Sequence, residues 1–105
     1  MPADEYNEQG ETEMTNGYNT RFDYKGAKFL VQTQDKGLSA HYVESLIYKS
    51  GALLTSKKTF YTSFLNSPNL RKMISRMMDD QHKTILQEIA DGKFDRFLGG
   101  GDGPK

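Results

Sequence analysis

The chain has 105 residues, no cysteine, and 14 basic against 14 acidic side chains, a formal net charge of zero. That length supports one hydrophobic core, and no self-similarity recurs at the ~20–50-residue period of solenoids and propellers. The lack of cysteine excludes disulfides, thiolate metal sites and cysteine nucleophiles, so packing alone must hold the fold.

Residues 1–17 carry Asp4, Glu5, Glu8, Glu11 and Glu13 with no Lys or Arg. A segment this polar cannot bury itself, and a disordered acidic tail is expected. The rest of the chain sets 14 basic side chains against the remaining 9 acidic ones, a mildly basic body of +5. The start lacks the basic-then-apolar pattern of a secretory signal, and no stretch approaches the ~18 apolar residues of a membrane span. A soluble cytoplasmic protein without membrane contact is the expectation.

Thr20 to Gln34 reads as a hairpin in which Lys25-Gly26 forms a two-residue loop, glycine being free to take positive φ. That register pairs Phe22 with Phe29 and Tyr24 with Ala27, gathering Phe22, Tyr24, Phe29 and Val31 on one face. A turn-rich connection, Asp35 to Ala40, leads to a second hairpin, His41 to Tyr61, around Ser50-Gly51. Its expected register sets Ile47 opposite Leu54 and Glu44 opposite Lys57, an opposite-charge pair.

Asn66 to Gly92 reads as a long helix. Ser67 is suited to the N-cap, Pro68 to the first helical position and Gly92 to a left-handed C-cap. Leu70, Ile74, Met77, Met78, Ile85, Leu86 and Ile89 recur at helical spacing and form one apolar stripe, with Met73, Met77 and Met78 as adaptable gap-fillers. Lys93 to Leu98 adds a short turn that tucks Phe94 and Phe97 back onto the sheet. Residues 99–105 are expected to be a flexible glycine-rich tail.

These elements predict one α+β domain over residues 18–98, a four-stranded antiparallel meander with one C-terminal helix packed on one face. The inner face takes Phe22, Tyr24, Phe29, Val31, Val43, Ile47, Leu54 and Phe60. Leu30, Tyr42, Leu46, Tyr48, Leu53 and Tyr61 are left on the outer face, where no second helix can cover them. A body this small also favours association with another chain.

Asp79 and His82 lie three apart and share a helical face, a spacing open to metal ligands. Metal centres take three or four ligands, however, and His41 is the other histidine of the chain. No metal, cofactor or catalytic site is therefore expected, and His82 is read as a histidine packed against the sheet edge and hydrogen-bonded to backbone. No G-x-S-x-G, phosphate-cradling loop or dinucleotide fingerprint is present, and the chain is read as a non-enzyme. Two partner classes remain. Tyr42, Tyr48 and Tyr61 beside Lys49 and Lys57 suit a single-stranded nucleic acid stacking on an open sheet, although the ββββα order and a charge of +5 argue only weakly for it. The leading reading is a protein-interaction module that binds a protein partner, or a second copy as a homodimer, through Tyr42, Leu46, Tyr48, Leu53 and Tyr61.

The positions Gly26, Val31-Gln32-Thr33, Asp35, Lys57-Lys58, Tyr61, Met78, Gln81-His82-Lys83 and Gly92-Lys93-Phe94-Asp95 together resemble a functionally unassigned family of short bacterial proteins and domains. In it a glycine hairpin leads to a Val-Gln-Thr-acid-Asp strand, a Met-x-x-Gln-His-Lys helix and a closing Gly-x-Phe-Asp. The resemblance spans most of residues 20–98 and departs at Gln34, where the pattern has an acid. It implies that Gln81, His82 and Lys83 are a family feature and that the module occurs beside regulatory or signalling domains. It implies no activity.

Overall fold

A computed structural model of the protein describes residues 12–13 and 17–98. Of the predicted tails, 1–17 and 99–105, residues 1–11, 14–16 and 99–105 lie outside the described residues; in the first tail Thr12–Glu13 form a short strand, β1, and Gly17 already belongs to the next strand.

Four longer strands follow in meander order: β2 (Gly17–Tyr24), β3 (Ala27–Asp35), β4 (Tyr42–Lys49) and β5 (Ala52–Phe60). All neighbours are antiparallel, and β1 extends the sheet beyond β2 by pairing Thr12 with Thr20 and Glu13 with Asn19. One helix, α1 (Leu70–Ala90), and short 3-10 turns at Thr62–Phe64 and Asp95–Phe97 complete the expected α+β architecture.

Both hairpins turn on two residues at positive φ, Lys25 (52°) with Gly26 (81°) and Ser50 (51°) with Gly51 (86°). This is the twist-matched geometry that two-residue loops favour. The first hairpin has the expected register, Phe22 opposite Phe29 and Tyr24 opposite Ala27. Its far end requires glycine for another reason. A Cβ on Gly17 would sit 2.0 Å from the Thr33 carbonyl oxygen, so a side chain there would push β2 off β3.

The second hairpin departs from its predicted register. It begins with Lys49 opposite Ala52 and Tyr48 opposite Leu53, but a bulge between Ile47 and Tyr48 makes Leu54 an extra residue. Ile47 then faces Thr55, and Glu44 faces Lys58 rather than Lys57. Because side chains alternate along a strand, one extra residue sends everything after it to the opposite face. Phe60, expected inside, is 58% exposed on the outer face, and Tyr61, expected outside, is fully buried.

Helix α1 starts two residues later than predicted. Ser67 stays in the preceding turn, where its hydroxyl accepts from the Asn69 amide and its carbonyl from Leu70, so Asn69 takes the N-cap position. The other end matches expectation. Gly92 is left-handed at φ 87°, its N–H bonds to the Ile89 carbonyl and that of Lys93 to Glu88, which is the two-bond pattern of a Schellman cap.

The helix lies over the inner face and splits the core in two. Its N-terminal half brings Ile74 and Met78 against Val43 and Tyr61. The C-terminal half sets Ile85 and Ile89, with Phe94 from the closing turn, against Phe29, Val31 and Ile47. Between these clusters the helix presents Gln81 and His82, and the sheet presents Thr33 and Ser45, all buried. A polar belt therefore crosses the middle of an otherwise apolar interior.

Candidate functional site

The belt is a continuous chain of hydrogen bonds across all four long strands. Thr59 on β5 donates to the Gln81 carbonyl oxygen, and the Gln81 amide reaches Ser45 Oγ on β4 at 2.8 Å. Ser45 Oγ lies 2.6 Å from Thr33 Oγ1 on β3. Thr33 Oγ1 is in turn 2.7 Å from His82 Nδ1, while His82 Nε2 is 2.8 Å from Thr20 Oγ1 on β2. Hydroxyls both donate and accept, so the chain closes with either neutral tautomer of His82: one ring nitrogen donates to a threonine and the other accepts from one. The neutral ring thus donates on one side and accepts on the other, with Tyr18 edge-on at 5.2 Å between ring centroids.

His82 is 3% exposed, and burial pulls its pKa down to about 4, the Asp79 carboxylate opposing weakly. Asp79 instead pairs with Lys83 at 3.2 Å, one helical turn on. The predicted structural role for His82 is correct in kind but not in detail. Its partners are threonine hydroxyls in mid-sheet rather than backbone at an edge. Among the described residues no group of three or more His, Asp or Glu is gathered to hold a metal.

Tyr61, one of the predicted partner-binding residues, must be corrected. The bulge turns it inward, where its hydroxyl donates to Asp35 Oδ1 at 2.6 Å and lies 3.0 Å from the Gly37 carbonyl. Burial, with the Asp35 carboxylate beside it, raises its pKa to about 12. It clamps the β3–β4 loop, in which Gly37 N–H also bonds Asp35 Oδ1 and His41 is left-handed at φ 66°.

The other four predicted residues share the outer face in two rows. Leu30, Tyr48 and Leu53 are cross-strand neighbours in one row, Tyr42 and Phe60 in the other, with Leu46 opposite Ser56 between them. Leu53 is 55% exposed and Phe60 58%, while the tyrosines and Leu46 are half-buried. The Tyr42 and Phe60 rings lie 5.0 Å apart, with the Lys58 ammonium 4.9 Å above the Tyr42 ring. Glu44, 17% exposed, sits opposite Lys58 and 3.9 Å from Lys36. Toward β2 the face turns polar, with Asn19, Gln32, Arg21 and Asp23. Among the described residues, the helix and the closing turn pack on the other side of the sheet. Phe60 is the member that the sequence pattern missed, because alternation from the unbulged register puts it inside.

No family model matches the chain. No curated protein and no solved structure is significantly similar to it. The class that the geometry defines is a small α+β domain, a meander sheet with one helix on one face and an amphipathic outer surface over β4 and β5.

Proposed function

We propose that the protein is a non-enzymatic interaction module whose docking surface is the outer face of β4 and β5. The observation that supports this is the grouping of Tyr42, Leu46, Tyr48, Leu53 and Phe60 on the side of the sheet away from the helix, two of them more than half exposed. Aromatic and aliphatic groups clustered within a polar rim are the composition of interface centres. The polar groups that could do chemistry, Ser45, Gln81 and His82, satisfy one another in the interior. The test is a photo-crosslinking amino acid at position 46 of the full chain in cells, against the same group at Ser75 on the exposed side of the helix. Discrete protein adducts are expected from position 46 and should vanish with Leu53→Lys. Equal labelling from both positions would sink the proposal.

The stacking of Lys58 on Tyr42 supports a second reading, single-stranded nucleic acid on the same face. It is the weaker one, because Glu44 and Asp23 put carboxylates on that face. Fluorescence anisotropy with single-stranded oligonucleotides at low salt separates the two. Binding that disappears with Tyr48→Ala would favour nucleic acid.

A further inference from the structure

Resting on the docking-face reading, we infer that the occupant of this face is a second copy of the same chain, bound about a two-fold axis that lies above the outer face, over the line midway between β4 and β5 and parallel to them. The argument comes from the register. On the outer face the two strands set Tyr48 opposite Leu53, Leu46 opposite Ser56, Glu44 opposite Lys58, and Tyr42 opposite Phe60. A two-fold axis between the strands exchanges them, so β4 of one copy lies over β5 of the other at the same level. Each outward side chain then meets a copy of its own cross-strand neighbour. Glu44 meets Lys58 of the second copy, Tyr48 meets Leu53, and Tyr42 meets Phe60. Every contact occurs twice, as a closed isologous interface requires.

The other strand pairs fail this condition. An axis between β2 and β3 would match Asp23 with Lys28 but set Arg21 against Leu30, burying a charge against an apolar group. An axis between β3 and β4 would set Gln32 against Leu46 and Gln34 against Glu44, with no opposite charge to match. Among the described strand pairs, β4–β5 both matches an opposite charge across the axis and seats its aromatic groups on apolar ones without placing a charge on an apolar group, Leu46 against Ser56 being its one mixed contact. Sheets packed face to face lie ~10 Å apart and cross at up to about 30°, so the match is best midway along the strands, at Glu44 and Leu46. Two strands of eight and nine residues offer a narrow footprint. The interface therefore falls near the lower bound for stable complexes, ~1,200 Å² in total, which suits a dimer that forms in the micromolar range.

Sedimentation velocity on the full chain, from low to high micromolar concentration, should show the mass rising from one chain toward two. Glu44→Lys and Lys58→Glu each create two like-charge contacts across the axis and should each weaken association by roughly tenfold or more. Mixed together, the two variants restore both opposite-charge contacts, and the mixture should sediment as a heterodimer although neither variant dimerises alone. This rescue guards against misfolding, since an unfolded variant cannot be rescued by mixing. A wild-type chain that stays monomeric at high micromolar concentration, or a mixture no larger than its components, overturns the second copy. Were position 46 still to crosslink to other proteins, the docking face would stand and only its occupant would change; were it to crosslink to nothing, both would fall.

Discussion

His82 keeps both ring nitrogens bonded inside the protein, which makes its protonation a question of stability. Its pKa is held near 4, below the ordinary 6.5, chiefly because burial disfavours the charged ring. Between those values the unfolded chain binds a proton that the folded one refuses. Stability from this group is therefore complete above ~7 and drains away as pH falls from about 6.5 toward 4. At ~1.4 kcal/mol per pKa unit the loss is of the order of a few kcal/mol. Protonation also makes both ring nitrogens donors, so the threonine hydroxyl that donated to the neutral ring must turn its proton elsewhere. Urea titrations of the wild type at pH 7 and 4.5 should show a clear fall in midpoint. His82→Gln should start about 1–3 kcal/mol less stable at pH 7, from buried partners left unsatisfied, and should lose much less between the two pH values. Equal slopes in both proteins would assign the acid sensitivity to another group.

At the scale of elements, the turns and the helix were legible in the sequence and the bulge was not. Lys25-Gly26 and Ser50-Gly51 announce hairpins because glycine tolerates positive φ, and the spacing of Ile74, Met78, Ile85 and Ile89 announces the buried stripe. Gly92 marks the helix end for the same conformational reason. Nothing comparable marks Leu54 as supernumerary. In Ala-Leu-Leu-Thr-Ser neither a glycine nor a break in hydrophobicity signals it, and either Leu54 or the β-branched Thr55 could face Ile47. The extra residue reverses the faces of the rest of β5, Phe60 and Tyr61 included. Two substitutions check the corrected faces. Phe60→Ser should shift stability by no more than ~0.5 kcal/mol, as exposed positions do, whereas an inward phenylalanine would cost ~3–5 kcal/mol on truncation. Tyr61→Phe should cost about 1 kcal/mol by removing the Asp35 bond. Because its pKa is raised, the wild type should lose that group's stabilisation as pH climbs from 10 through about 12, a loss absent from the variant. Chemical denaturation of both variants at neutral and alkaline pH measures these effects.

For the whole molecule, the question is why a small domain should run polar groups through its middle. Period-two reading shows Thr33 and Ser45 to be inward, since each lies two residues from buried Val31, Val43 or Ile47, but side-chain type alone does not reveal that a histidine and a glutamine on the helix would meet them. The belt fixes the helix against the sheet. Sliding α1 by one turn would carry Gln81 and His82 under Val43 or Val31 and strand every member of the chain, at about 1–3 kcal/mol for each unsatisfied buried group. The two apolar clusters alone would discriminate much less, because aliphatic groups of similar size can exchange neighbours. Single and combined replacements should consequently move stability in opposite directions. Gln81→Leu leaves Ser45 and Thr59 without their partner and should destabilise by about 2–4 kcal/mol. Converting the belt together, with Thr20→Val, Thr33→Val, Ser45→Ala, Gln81→Leu and His82→Leu, removes its five buried polar side chains, leaves the half-buried Thr59 to water, and should recover or exceed wild-type stability, as replacing both partners of a buried polar contact by apolar groups can. The recovered protein should be less uniquely ordered, with a shallower urea transition and poorer amide dispersion in heteronuclear NMR than the wild type. A fivefold variant that is less stable than Gln81→Leu would mean that the belt stabilises the fold outright, rather than selecting one helix register among several.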